Sequence, residues 1–123
     1  MLDLRGRTVL VVEDEIMVAM LTEDLLSEVG CDVIVALRCS DGLSLARQGS
    51  FDVAVLDVNL GGGDTSHSIA RELAAKGKPF LFATGYGKAG IQPEFADRCV
   101  IQKPYPAHVL LEAVGHLLTD ARH

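Results

Sequence analysis

Five short apolar runs, separated by stretches with helical periodicity, constrain the fold of this chain more than any other feature. Each run has the length and the Val, Ile, Leu or Phe content of a buried strand. The predicted strands cover residues 8–12, 32–36, 51–56, 79–83 and 99–102. Because strands that are buried on both faces are apolar throughout, the runs predict a parallel sheet with helices on both sides.

Helical spacing and helix-ending residues occur between these strands. Residues 16–29 have apolar side chains at helical spacing and are followed by Gly30, a residue type that favours a helix end. Ser40 is predicted as the N-cap of a helix that runs to Gln48. Further helices are predicted over residues 66–75 and 106–118, with at most a short helix over 91–96.

The alternation of strands and helices indicates the α/β class. Right-handed crossovers between parallel strands favour a doubly wound (βα)5 sandwich of three layers. The chain has 123 residues, which is the size of one typical domain of about 100–150 residues. We therefore expect a single domain over residues 1–123, without an effector domain.

The charge balance argues against two classes of partner. The net charge is −6 and the isoelectric point is near 5.0, so no basic surface is available to bind nucleic acid or an anionic membrane. Cys31, Cys39 and Cys99 form no closely spaced pair and are expected to be reduced thiols. The N-terminus is too polar for a signal peptide, and no apolar run is long enough to span a membrane. These features predict a cytoplasmic protein.

Chemically active side chains follow four of the five predicted strands. Glu13 and Asp14 follow the first strand, Asp57 follows the third, and Thr84 and Lys103 follow the fourth and fifth. Ligands of an open parallel sheet bind beyond the carboxyl ends of its strands. We therefore expect these five side chains to share one site.

This combination suits phosphoryl transfer. Carboxylate oxygens are the ligands that Mg2+ prefers, Asp57 can act as a nucleophile, and Lys103 can neutralise charge on phosphoryl oxygens. Taken singly, each residue has an ordinary explanation: acidic residues cap helices, an aspartate ends a turn, and a lysine is solvated. Their joint position at one edge of the sheet favours the functional interpretation.

The chain resembles the receiver domains of two-component response regulators over nearly its whole length. The resemblance lies in Val9–Asp14, in the strand that leads to Asp57, and in the pair Lys103–Pro104, whose peptide bond is usually cis in that family. It implies a flavodoxin-like fold with strand order 2-1-3-4-5.

By position, the resemblance implies that Asp57 is the phosphoacceptor, Lys103 the phosphoryl-binding cation and Thr84 the switch hydroxyl. Asp14 is expected to hold Mg2+ more directly, and Glu13 through water. The implied metal ligands are Glu13, Asp14, Asp57 and the backbone carbonyl of Asn59. The implied donor is a sensor histidine kinase or a histidine phosphotransfer protein. The expected output is contact with an unknown downstream protein, feedback on a kinase, or removal of phosphate as a sink.

The sequence departs from the usual receiver pattern in three places. Val100 occupies the position of the aromatic switch residue, and Gly61–Gly63 stands where a proline is usual. Residues 82–86, Phe-Ala-Thr-Gly-Tyr, resemble the FAT GUY subgroup, which implies a kinase of the HWE or HisKA2 type. Two hypotheses address the missing aromatic switch: ordering of the glycine-rich loop 85–90, and an aromatic role for Tyr86, which is otherwise an ordinary surface residue. The glycine run 61–63 indicates either a plain turn or a loop that docks a partner.

Two other functions remain open at this level. A phosphatase of the haloacid-dehalogenase type also uses an aspartate nucleophile, but it needs a second aspartate where this chain has Asn59; turnover of an aryl phosphate would favour it. A pseudo-receiver would bind partners without accepting phosphate, and a lack of Mg2+ binding would favour it. We expect a signalling domain that catalyses only its own phosphorylation and slow dephosphorylation.

Overall fold

The computed structural model describes residues 3–85 and 90–119. Within these residues we describe five strands, four α-helices and the 3-10 helix Pro93–Phe95. In chain order these are β1 (Thr8–Val12), α1 (Ile16–Glu28), β2 (Asp32–Ala36), α2 (Cys39–Gln48), β3 (Val53–Asp57), α3 (His67–Ala75), β4 (Phe80–Thr84), the 3-10 helix Pro93–Phe95, β5 (Val100–Gln102) and α4 (Ala107–Thr119).

All five strands are parallel and their order is β2-β1-β3-β4-β5. The α/β class, the sheet and its order are confirmed. Only four α-helices accompany the strands within the described residues, so the fourth helix of a (βα)5 unit is replaced there by the 3-10 helix. Each predicted strand lies within two residues of its observed position.

The prediction that Ser40 caps α2 is wrong. The helix begins one residue earlier, at Cys39, and its N-cap is Arg38 in an extended conformation without a side-chain cap. The expected end is correct, because Gly49 has a φ of 70° and closes the helix in the left-handed conformation. A serine in the first turn of a helix resembles an N-cap in sequence. The N-cap is, however, the last residue with an extended backbone, and here that residue is Arg38.

The sheet separates two apolar layers because successive side chains of a strand point to opposite faces. Leu10 and Val12 pack toward α2 and α3, whereas Val9 and Val11 pack toward α1 and α4. All four side chains are fully buried. The result is the predicted three-layer sandwich.

The 3-10 helix is anchored by Phe95, which is buried. Its ring centroid lies 5.9 Å from Phe80, 5.7 Å from Phe82 and 5.9 Å from the stacked ring of His67. These contacts, at the usual distances for aromatic pairs, hold the 3-10 helix against β4 and α3.

The register brings the functional residues to one edge. Val12 pairs with Leu56, and Leu56 pairs with Phe82, so the residues after β1 and those ending β3 and β4 emerge at the same height. Thr84 pairs with Gln102, which places the residue after β5 beside them. The strand register therefore places the residues at the ends of β1, β3, β4 and β5 in one site.

Candidate metal centre

Three carboxylates meet at the carboxyl edge of the sheet. Glu13, Asp14 and Asp57 each offer an oxygen, and these oxygens all lie within 4.8 Å of one another. Glu13 and Asp57 are buried, and Asp14 is the most accessible of the three. Glu13 and Asp57 are held in place by the strands that they follow or end, so their positions depend little on loop conformation.

Lys103 joins the two buried carboxylates. Its Nζ donates to Glu13 Oε1 at 2.9 Å and lies 3.3 Å from Asp57 Oδ1. The other oxygen of Glu13, Oε2, accepts the backbone N–H of Glu15 at 3.1 Å. On the neighbouring strand Thr84 is buried, and its carbonyl accepts the backbone N–H of Lys103 at 2.9 Å.

The electrostatics follow from burial and from the excess of acidic groups. Burial first, and then the hydrogen bond and negative charge of Glu13, raise the pKa of Asp57 to about 7, although Lys103 acts in the opposite direction. For Lys103, burial opposes the charged form, but contacts with Glu13 and Asp57 outweigh it and raise the pKa of the ammonium group. The site therefore carries more negative charge than one lysine neutralises.

Solved structures of response-regulator receiver proteins share this arrangement of strands and helices. The solution structure of SdrG from Sphingomonas melonis Fr1 is 38% identical, with a TM-score of 0.79; the match covers 92% of this chain and 97% of SdrG. The chain belongs to the response-regulator receiver family.

Other receivers extend the comparison. The BeF3-activated conformation of SdrG, from Pseudomonas melonis Fr1, is 37% identical over 91% of this chain and 96% of that one, with a TM-score of 0.74. A receiver protein from Sinorhizobium medicae WSM419 is 22% identical over 95% of this receiver and 97% of its own length, with a TM-score of 0.81; this likeness concerns the fold. No protein-family model and no curated protein matches the chain.

The donor set of this receiver fits Mg2+. The oxygens are hard ligands, two of them are on buried side chains, and the more accessible Asp14 leaves room for the waters that Mg2+ retains. Glu13 contacts Lys103 directly. Asn59 is exposed two residues beyond Asp57 and pairs with Thr65 in an isolated bridge; the role of its carbonyl as a ligand stays a prediction.

The glycine run after Asn59 forms a defined turn. Gly61, Gly62 and Gly63 have φ values of 79°, 58° and 83°, a region that side chains rarely adopt. A Cβ at position 61 would lie 3.0 Å from Asp14 Oδ2. The positive φ values and the close approach to Asp14 therefore explain why glycines occupy this turn. A role of the run in docking a partner stays a prediction.

The positions that concern the missing switch are only partly described. Val100 is partly buried against the apolar cluster on the α2 and α3 side of the sheet. Tyr86 and residues 87–89 of the glycine-rich loop lie outside the described residues. Both hypotheses for the switch therefore stay predictions. As a separate finding, no helix within the described residues is long and apolar enough to span a membrane.

Sequence reasoning missed two residues near the site. Tyr105 follows the Lys103–Pro104 pair, which has the expected cis peptide bond, and its hydroxyl bonds to Thr22 of α1. The signal that points to Tyr105 is its position two residues after the functional lysine. Nothing in the sequence indicates that Thr22, an internal helix residue, faces it.

Added Mg2+ should stabilise the wild-type receiver against unfolding. Ligand binding to the folded state alone contributes about 2.7 kcal/mol when the concentration is a hundred times the dissociation constant. Asp14→Asn should raise that dissociation constant about tenfold or more, because one of three charged ligands is lost. Glu15→Gln is the matched control, since Glu15 is exposed and only its backbone contacts Glu13. Thermal unfolding with increasing MgCl2 measures the effect, and equal Mg2+ stabilisation of Asp14→Asn and wild type would refute the site.

Proposed function

We propose that this receiver domain accepts a phosphoryl group on Asp57 from a phosphohistidine in a two-component phosphorelay. The observation that carries the proposal is the buried carboxylate of Asp57, 3.3 Å from the Lys103 ammonium and grouped with two further carboxylates. An oxygen of Asp57 bonds to phosphorus as the phosphorus–nitrogen bond breaks, and the leaving imidazole keeps the electron pair. The protein is a signalling domain that catalyses only its own phosphorylation and slow dephosphorylation.

The neighbouring residues have separate roles in this proposal. Lys103 pairs with the phosphoryl oxygens as it now pairs with Asp57, and the Thr84 hydroxyl donates a hydrogen bond to one of them. Mg2+, when bound, supplies positive charge that stabilises the transferring group. The ligands proposed for it are Glu13, Asp14, Asp57 and the Asn59 carbonyl.

The relatives support the choice of donor and output. SdrG adopts a BeF3-activated conformation, and BeF3 imitates a phosphoryl group on a carboxylate. We infer that this chain responds to phosphorylation in a similar way and belongs with the FAT GUY receivers, since residues 82–86 carry that pattern. The proposed donor is a sensor histidine kinase of the HWE or HisKA2 type, or a histidine phosphotransfer protein. The output is an altered contact with a downstream protein, or removal of phosphate as a sink, in the cytoplasm.

Intact-protein mass spectrometry tests the acceptor. After treatment with phosphoramidate or acetyl phosphate and Mg2+, the wild type should gain the mass of one phosphoryl group, and EDTA should prevent the gain. Asp57→Asn should gain nothing. Asp64→Asn is the matched control, because Asp64 is exposed in the loop after β3, and it should react like the wild type.

A wild type that stays unmodified with small donors and with a panel of phosphorylated kinases would contradict the proposal. Equal modification of Asp57→Asn would move the acceptor to another residue. Peptide mapping of the modified variant would then identify that residue.

A further inference from the structure

A partly buried hydrogen bond connects the segment that carries Lys103 to helix α1. The hydroxyl of Tyr105 lies 2.5 Å from Thr22 Oγ1, across 83 positions of sequence. Thr22 Oγ1 donates to the carbonyl of Val18 at 2.9 Å, so its single proton is used. Tyr105 is therefore the donor in the first bond, and the two bonds run in series from the loop into the helix.

The residues around this hydrogen bond are largely apolar, which strengthens it. Thr22 is 1% exposed, and Tyr105 packs against the apolar cluster between the sheet, α1 and α4. Hydrogen bonds in such low-dielectric surroundings are stronger than in water, and a polar group that loses its partner there is costly. Tyr105 consequently has one strongly preferred position relative to α1.

The same segment is tied to the sheet at Lys103. The backbone N–H of Lys103 donates to the Thr84 carbonyl at 2.9 Å, while Tyr105 is bonded to α1 two residues later. The Lys103 side chain leaves the chain between these two attachments. It reaches Glu13 and Asp57 with most of its surface buried. The acidic site also acts on Tyr105: burial raises the pKa of its phenol, the hydrogen bond with Thr22 opposes that rise, and the charges of Glu13 and Asp57 add to it.

We propose that Tyr105 and Thr22 are a pair of positioning residues that hold the Lys103 ammonium in the geometry needed for phosphoryl transfer to Asp57. This inference rests on the proposed acceptor function. Neither residue contacts the transferred group; both act through the backbone that follows Lys103. Loss of the bond lets the segment shift relative to α1, and small displacements of a charge-stabilising group lower a rate strongly.

The variants separate positioning from packing. Tyr105→Phe removes only the donor hydroxyl, and Thr22→Val removes the acceptor while keeping the shape of the side chain. Thr22→Ser retains the hydroxyl and serves as the conservative rescue. Thr8→Val is the matched control. It makes the same threonine-to-valine change at the first residue of β1, the end of the strand that lies away from the acidic site.

Two quantities are measured on each full-length variant. The first is the rate of Asp57 phosphorylation by phosphoramidate with saturating Mg2+, followed by intact mass. The second is the NMR resonance of the Lys103 ε-carbon in protein with 13C-labelled lysine, which needs no phosphorylation. Tyr105→Phe and Thr22→Val should each lower the rate about fivefold, the effect expected of one net hydrogen bond, and both should shift the Lys103 resonance.

The double variant should be no slower than either single variant, because both remove the same bond. Thr22→Ser and Thr8→Val should retain the wild-type rate and resonance. An unchanged rate in variants of a wild type that does accept phosphate, or an unchanged Lys103 resonance, overturns the positioning role, even if the melting temperature falls. If the wild type accepts no phosphate, the acceptor function fails, and the resonance alone decides whether the pair positions Lys103.

Discussion

Lys103→Met should accept a phosphoryl group about a hundredfold more slowly than the wild type. Lys103 is the cation that contacts both Glu13 and Asp57 within the described residues. Removal of one preorganised group that neutralises developing charge typically costs a factor of a hundred to a thousand. Methionine has a similar length without the charge, so the effect reports on electrostatics rather than on a cavity.

The measurement is the rate of phosphorylation by phosphoramidate at fixed Mg2+, with intact mass as the readout. Lys76→Met is the matched control, because Lys76 is exposed and its ammonium group donates to the Arg47 carbonyl, away from the acidic site. The control should keep the wild-type rate. A Lys103→Met variant as fast as the wild type would show that the ammonium does not take part in transfer.

Asp57→Asn should make the metal-free protein more stable, by roughly 4 kcal/mol at pH 8, since about three pKa units at about 1.4 kcal/mol each separate the folded from the unfolded carboxyl group. Asp57 is buried beside Glu13, and these surroundings raise its pKa to about 7, whereas the pKa of an aspartate in an unfolded chain is about 3.9. The ionised form is therefore disfavoured in the folded protein. Asparagine has nearly the same shape and carries no charge.

The pH dependence follows from the direction of this shift. Below about pH 4 Asp57 is protonated in both states and contributes no difference between wild type and Asp57→Asn. As the pH rises toward 7, the unfolded chain releases the proton while the folded state retains it, so the wild type loses stability. Above pH 7 the loss is complete. The advantage of Asp57→Asn should thus be absent near pH 4 and largest at pH 8.

Urea unfolding in EDTA at a series of pH values measures this difference. Asp64→Asn, at an exposed position, should show little difference from the wild type at any pH. A constant advantage of Asp57→Asn across the pH range, or none at pH 8, would contradict the assigned electrostatics. Saturating Mg2+ should reduce or reverse the advantage, because it stabilises the wild-type carboxylates.

The sequence alone determined the class of fold and the edge at which the site lies. The apolar runs and helical periods are local patterns, and steric rules for parallel strands convert them into a sheet with helices on both faces. The positions of Asp57 and Lys103 at the ends of two runs were then enough to predict that they approach each other. The resemblance to receivers supplied the strand order and the expected residue roles.

Only the tertiary structure decided how the side chains pair. Glu13 contacts Lys103 at 2.9 Å, beside the contact of Asp57 with the same ammonium group at 3.3 Å; the resemblance implied a role for Glu13 only at the metal, through water. Thr22 meets Tyr105 across 83 positions, and Arg38 rather than Ser40 precedes α2. Such contacts depend on rotamers, burial and the chain path between elements. Side-chain contacts between residues far apart in sequence produce no periodic pattern, so these pairings are known only from the folded structure.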